Sequence, residues 1–234
     1  MEINEIFSAV KLKSKNFRCK NKYFRIDYSD DLDAMINQMT NEQFEEDERF
    51  PYFFTVWDSG ILLAQHIIGN STDLHEKTIL ELGAGTGVCG IALAVNENCR
   101  VIFTDYEEYS CRLCRHNCEV NNLHNFDTIT ADWRNFPDIK ENIDIVVCSD
   151  VLYEKKQVIP LFNVLNTFLQ KKIPVYLADP GRTYINDFLA LVKNAGYSIQ
   201  TSLEKDKNEN NLLSAANIYL IWNQIYVFDS ESNT

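Results

Sequence analysis

From residue 58 onward the apolar positions keep two alternating rhythms. "DSGILLAQHII" sets Ile61, Leu62, Gln65 and Ile68 at helical spacing and predicts a helix. Beyond it, short apolar runs near 78–82, 100–104, 127–130, 143–149 and 173–178 read as strands. The segments between them, near 87–96, 107–121, 155–170 and 183–195, read as helices. Such alternation predicts an α/β fold: a Rossmann-like, doubly wound, mostly parallel sheet with helices on both faces. The end breaks the rhythm. "GYSIQTSL" and "NIYLIWNQIYVF" are β-rich runs joined by the polar "EKDKNENN", so an antiparallel hairpin with a solvated tip at 204–211 should complete a sheet of seven strands.

Before residue 51 the pattern is different. Residues 1–28 alternate in two short runs around "KNK" and predict a β-hairpin. "SDDLDAMINQM" offers Ser29 or Asp30 as the cap of a short helix. Residues 40–50 are acidic and should be exposed, and Pro51 ends them. The expected organisation is an N-terminal extension over 1–50 and one domain over 51–234.

Composition narrows the partners. The 234-residue chain carries a net charge of −12 and no Lys/Arg-rich block. Nucleic-acid binding, which needs phosphate neutralisation, is therefore not expected; a basic protein surface is a better match. No apolar run approaches the roughly 18–20 residues that cross a bilayer, so no membrane association is expected. The N-terminus lacks the apolar core of a signal peptide, which makes the cytoplasm the default location. Seven cysteines without scaffold spacing read as thiols. The expected state is a monomer.

The chemistry begins at "ILELGAGTGVCGIALA", residues 79–94, a strand, a glycine turn and a helix start. Gly83, Gly85 and Gly87 are spaced G-x-G-x-G, and Val88 stands where the dinucleotide fingerprint wants its third glycine. Glu81 ends the strand, where ligands of such sheets bind. A carboxylate there would repel a pyrophosphate and suit an ammonium or sulfonium. S-adenosylmethionine has both and no phosphate. Asp105 ends the next strand, where it can accept both ribose hydroxyls, and Tyr106 could lie against the adenine. The alternative is a tight strand-to-helix turn that holds no ligand.

"CRLCRHNC" at 111–118 invites a metal, but Cys111, Cys114 and Cys118 fall at i, i+3 and i+7 on one helical stripe. No second ligand pair accompanies them, so a core stripe is expected and no metal.

"ELGAGTG" with "FTDY" resembles motifs I and II of the seven-β-strand, class I methyltransferases. "FTVWDSGILLA" at 54–64, "ADWRNF" at 131–136 and "DVLYE" at 150–154 resemble segments of methyltransferase family 16, which includes many protein-lysine methyltransferases. "ADPGRTY" at 178–184 is similar to the branch that holds the electron-transfer flavoprotein β-subunit lysine methyltransferase and nicotinamide N-methylase-like proteins. The likeness runs from about residue 50 to the end.

The resemblance implies S-adenosylmethionine as cofactor. It implies that Trp57 packs near its methionine end and that Glu81, Gly83 and Gly85 form its bed. Asp105 would hold the ribose, Asp132 would meet the adenine amino group, and Trp133 its ring. Asp150 and Tyr153 would line the methyl-transfer pocket. A lysine amine, with an ordinary pKa of about 10.4, arrives as ammonium; Asp150 would bind and orient it, with Trp57, Tyr153, Phe53 and Phe54 as walls. Without the resemblance, Asp150 reads equally well as a helix N-cap before "VLYEKKQVI". Arg182 could bind a substrate carboxylate or pair with Asp179.

The leading expectation is an N-methyltransferase acting on lysines of a protein. The rivals are a small amine or nitrogen heterocycle as acceptor, and a cofactor-binding interaction module without catalysis. A dehydrogenase stands last, because of Glu81.

Overall fold

A computed structural model describes residues 11–31, 52–70, 73–207 and 213–223. The expected helix beyond residue 31, the acidic segment at 40–50 and Pro51 lie outside them. Two strands, β1 (Lys13–Cys19) and β2 (Lys22–Tyr28), form the N-terminal hairpin. Helix α1 (Asp58–Asn70) precedes β3 (Thr78–Leu82), α2 (Val88–Glu97), β4 (Arg100–Asp105), α3 (Glu108–Val120) and β5 (Phe126–Thr130). Then come β6 (Ile145–Ser149), α4 (Val158–Gln170), β7 (Val175–Asp179) and α5 (Ile185–Asn194). The antiparallel pair β8 (Ser198–Lys207) and β9 (Leu213–Trp222) ends the sheet.

The seven-stranded sheet runs β5-β4-β3-β6-β7-β9-β8, and among these strands only β9 runs against the others, pairing antiparallel with β7 and with β8. The order reverses beside β3, which pairs β4 on one side and β6 on the other. Loops leaving those strands diverge there and open a crevice at their carboxyl ends, where such sheets bind ligands.

Side-chain parity divides the core. Ile79 on β3, Val101 and Phe103 on β4 and Val147 on β6 face one layer, with α1, α2 and buried cysteines of α3. Leu80, Leu82, Ile102, Val146 and Cys148 face the other, with α4 and α5. The hairpin belongs to the first layer: Phe17, Phe24 and Ile26 are buried in it beside α1 and α2. Among the described residues, no helix is long and apolar enough to cross a membrane.

The expected tip at 204–211 begins too early. Glu204–Lys207 continue β8, because Glu204 meets His66 Nδ1 at 2.7 Å and Asp206 accepts from Gln65 at 3.1 Å. These contacts tie the strand to α1 and give its polar residues partners; residues 208–212 are outside the described set.

Hairpin and helix layer meet at a buried polar seam. Asn117 of α3 accepts from the Asp27 N–H at 2.8 Å and donates to the Asp27 carbonyl at 3.0 Å. One turn on, Asn121 repeats both contacts with Arg25. Two amides thus stand in for a neighbouring strand on the edge of β2. Asn117 Nδ2 also donates to the Thr86 carbonyl in the glycine turn, at 2.9 Å. Asp27 sits between Arg25 and His116; burial would raise its carboxyl, but their hydrogen bonds and that of Ser14 hold it below its ordinary range.

Asn117→Ala should orphan three buried backbone groups at once. Each typically costs about 1–3 kcal/mol, and partial relaxation should leave a net loss of about 2–4 kcal/mol. Urea unfolding of the variant tests this; a change below about 0.5 kcal/mol would show that the seam is dispensable.

Candidate functional site

At the reversal of strand order lies a cavity of about 250 Å³. Of the residues singled out from sequence, Trp57, Gly83, Gly85, Asp105, Tyr106, Asp132, Trp133, Asp150 and Tyr153 all line it. Glu81 does not.

The floor is the turn from β3 into α2. Gly83 and Gly85 adopt φ of +66° and +55°, the left-handed region that glycine enters without cost. A Cβ on Gly83 would also come within 2.7 Å of Val151 and 3.4 Å of Trp133, so the close approach of those two walls requires a hydrogen there. The Gly85 N–H donates to Asp105 Oδ2 at 2.9 Å, and the Glu107 N–H to Asp105 Oδ1 at 2.9 Å. Burial nevertheless raises the Asp105 carboxyl above its ordinary range, against the pull of these donors. Asp105 therefore fixes the turn while facing the cavity.

Glu81 is a correction to the sequence reading. Its parity is that of Ile79, so it points toward α2, where Oε2 accepts the Gly90 N–H at 2.9 Å. It is 2% exposed and has no described cation beside it; burial pushes its carboxyl up to about 8, against the lowering effect of Gly90. Lying at a strand end was the misleading cue; the two-residue alternation of "TILEL" decides the direction.

The adenine-side candidates are tied together by a residue the sequence did not single out. Arg134 meets Asp132 through Nε at 2.9 Å, donates to the Tyr106 hydroxyl at 3.1 Å and lies over the Tyr106 ring at 5.3 Å. Asp132 also caps the short 3-10 turn Trp133–Asn135 by accepting the Arg134 N–H at 2.8 Å. The signal was present in "DWR", but local pairing of i and i+2 charges cannot be told from solvated charge without the cavity beside it.

On the opposite wall, Asp150 follows β6 at φ +60°. It caps no helix: a 3-10 turn starts only at Lys155 and α4 at Val158, with Pro160 in its first turn. The left-handed kink is tolerated by aspartate better than by most residues, and the Asp150 N–H still reaches the Ala178 carbonyl at 3.0 Å. The carboxylate is 7% exposed and fully engaged. Oδ2 accepts from the Ser59 hydroxyl at 2.7 Å, and Oδ1 receives Arg182 Nε at 2.5 Å together with Arg182 Nη2. Ser59 lies in the "WDSG" segment, in the first turn of α1.

Arg182 thus does not pair with the Asp179 side chain. Asp179 Oδ1 instead accepts the Gly181 and Arg182 backbone N–H groups, both at 2.7 Å, while its buried Oδ2 has no partner among the described residues. The guanidinium lies 5.4 Å from the Trp57 ring and 5.9 Å from that of Tyr153. Tyr52 joins this enclosure edge-on to both rings. It takes the place expected of Phe54, which is buried off the cavity; Phe53 does line it.

The cysteine stripe turns inward. Cys111, Cys114 and Cys118 are buried, and burial raises all three thiols. Cys114 Sγ contacts the Gly85 carbonyl at 3.2 Å. Among the described residues, no three His, Cys, Asp or Glu side chains gather into a metal site.

The family model described as lysine methyltransferase matches residues 37–195. The chain is 26% identical over 177 residues to the human electron transfer flavoprotein beta subunit lysine methyltransferase, covering 72% of this chain and 64% of that protein. It is 32% identical over 159 residues to the histone-arginine methyltransferase METTL23 of Xenopus laevis, covering 66% of this chain and 64% of that protein. The match therefore spans just under two thirds of each relative. Among solved structures, magnesium protoporphyrin IX methyltransferase from Synechocystis with bound SAM shares the fold. Its TM-score is 0.53 at 16% identity, over 79% of this chain and 85% of that one.

Glu81→Gln tests the buried carboxyl. Between about pH 4.5 and 8 the unfolded chain gives up the Glu81 proton and the native state keeps it. Wild-type stability should then fall as pH rises, by at most about 1.4 kcal/mol per unit. The glutamine variant should lack this decline and exceed wild type at pH 8. Urea unfolding at pH 5, 6, 7 and 8 is the measurement; parallel curves would mean that Glu81 is ionised.

Proposed function

This chain belongs to the lysine methyltransferase family, and from that premise we propose that it is an S-adenosylmethionine-dependent N-methyltransferase whose acceptor is a lysine side chain of a protein. The observation that carries the reading is one cavity with two chemically different walls. One wall is a glycine turn with Asp105, Tyr106, Asp132 and Trp133; the other is Asp150 within aromatic rings.

The first wall fits the cofactor. Its carboxylates would oppose a pyrophosphate and accept sugar hydroxyls or an amino group, and the glycine backbone allows close approach. Asp105 and the turn would hold the ribose and methionine parts, and Asp132, Trp133 and Tyr106 the adenine. When bound, S-adenosylmethionine supplies an electrophilic methyl group on a sulfonium.

The chain's own residues must then deliver a nucleophile. Asp150 gives the arriving ammonium a counter-ion and fixes its position, and such alignment supplies much of the acceleration of a displacement reaction. Trp57, Tyr52 and Tyr153 shield it from water and favour a cation on their faces. Desolvation among those rings lowers the amine's hold on its proton, which leaves to water at the open mouth.

Both relatives compared above are named as protein methyltransferases, which supports a protein acceptor. A cytoplasmic location is part of the same proposal, supported by seven buried cysteines that are all free thiols.

Labelled S-adenosylmethionine incubated with cell extract should place label in a protein band that yields methyllysine on hydrolysis. Label confined to small molecules would move the assignment to a small amine or heterocycle. Asp105→Ala should weaken cofactor binding by about tenfold or more, since buried donors left unpaired cost about 1–3 kcal/mol. Unchanged affinity in a folded variant would sink its role. Asp150→Asn should lower single-turnover methyl transfer by roughly a hundredfold to a thousandfold, with cofactor affinity nearly kept. Near-normal turnover would leave Asp150 a purely structural residue.

A further inference from the structure

Asp150 is not waiting empty for its acceptor. Arg182 already holds Oδ1 of this cavity-lining carboxylate, with its guanidinium near the Trp57 and Tyr153 rings that also line the cavity. We propose that Arg182 is the resident cation of the acceptor pocket, displaced by the incoming amine, and that this exchange makes the site select cationic over neutral acceptors. The proposal rests on the methyltransferase reading of the cavity and deepens it, because it names the charge of the acceptor.

The exchange follows from burial. A carboxylate as enclosed as Asp150 is strongly disfavoured without a paired charge, so Arg182 leaves readily only when another cation takes over. A neutral heterocycle offers no such charge. An ammonium does, and Ser59 keeps Oδ2 fixed while only Oδ1 changes partner.

The local build allows the side chain to move alone. Asp179 Oδ1 pins the Gly181 and Arg182 backbone N–H groups, so the loop need not shift. The Arg182 side chain is 27% exposed, which gives the guanidinium a route to water by rotation of its own bonds. Its planar fork also makes it a stronger carboxylate partner than a lone ammonium. A free small amine, bringing nothing but its charge, should therefore compete poorly. A lysine on a protein adds contacts of its flanking surface.

The test uses the full chain, n-butylamine as the lysine side-chain stand-in, and methylguanidinium as the stand-in for Arg182. Calorimetric titration in the presence of S-adenosylhomocysteine should show n-butylammonium binding to Arg182→Ala at least tenfold more tightly than to wild type. The gain should vanish in the Arg182→Ala, Asp150→Asn double variant. Arg182→Gln, which keeps a hydrogen-bond donor but no charge, should behave like the alanine variant and covers the case in which that one fails to fold. In turnover with labelled cofactor, the single variants should methylate n-butylamine faster than wild type, and methylguanidinium should inhibit them competitively.

Equal n-butylammonium affinity in wild type and both single variants would overturn the proposal. So would stimulation of the variants by methylguanidinium, since rescue means that Arg182 supports the site instead of occupying it. Failure of the cofactor reading looks different: S-adenosylhomocysteine then gives no heat with any variant, while the amine titrations, repeated without it, still decide whether Asp150 exchanges cations.

Discussion

Four carboxylates sit at the carboxyl ends of four adjacent strands, and each is largely removed from water. Glu81 lies on β3, Asp105 ends β4, Asp150 follows β6 and Asp179 ends β7; none is more than 9% exposed. A buried carboxylate must be hydrogen-bonded, paired or protonated. The four meet that demand in different ways, and those ways shape the site. Glu81 takes a helix N–H and its burial favours the protonated form. Asp105 takes N–H groups of the glycine turn and of the loop after β4, which joins the exits of two strands. Asp179 takes the backbone of the loop that carries Arg182. Asp150 is held by side chains, a hydroxyl and a guanidinium.

That difference separates a fixed half of the cavity from an exchangeable half. Backbone donors move only if the loop moves, so Asp105 and the glycine turn form a preorganised surface. The seam from β2 through Asn117 to the Thr86 carbonyl adds support from behind. The hairpin lies outside the region matched by the family model, yet its Phe17, Phe24 and Ile26 share a core with the helices behind that turn. Physical continuity of packing thus extends further toward the N-terminus than the family match does.

Much of the fold was legible because its signals are local and repeated. The strands from β3 to β7 and the helices between them stand within a few residues of their expected places, since each is a short apolar run or a 3.6-residue stripe. The glycine turn, Asp105 and Asp150 were legible as positions at strand ends. The directions of side chains were harder. Glu81 was assigned by where its strand ends, whereas "TILEL" already aligned it with Ile79. For Arg182 the sequence offers a substrate carboxylate or the neighbouring Asp179, and neither is the side chain that its guanidinium meets. Its partner lies 32 residues away because β6 and β7 run side by side and bring their following loops together. Ser59, Tyr52 and Arg134 gain meaning only once the cavity exists; nothing in their local sequence separates them from ordinary polar or aromatic surface.

The kink at Asp150 shows how the two halves are reconciled. A strand that continued straight past Ser149 would keep alternating its side chains between the two helical layers. The left-handed turn at φ +60° breaks that alternation while leaving the backbone bond to Ala178 intact. The carboxylate is thereby placed on the cavity wall, within reach of α1 through Ser59 and of the loop after β7 through Arg182. Strain of this kind persists only where surrounding contacts overdetermine it. Here they come from α1 through the Ser59 hydroxyl, from β7 through the Ala178 carbonyl and from the loop after β7 through Arg182. An exchangeable contact is tolerable at such a point because the other two remain when one is released.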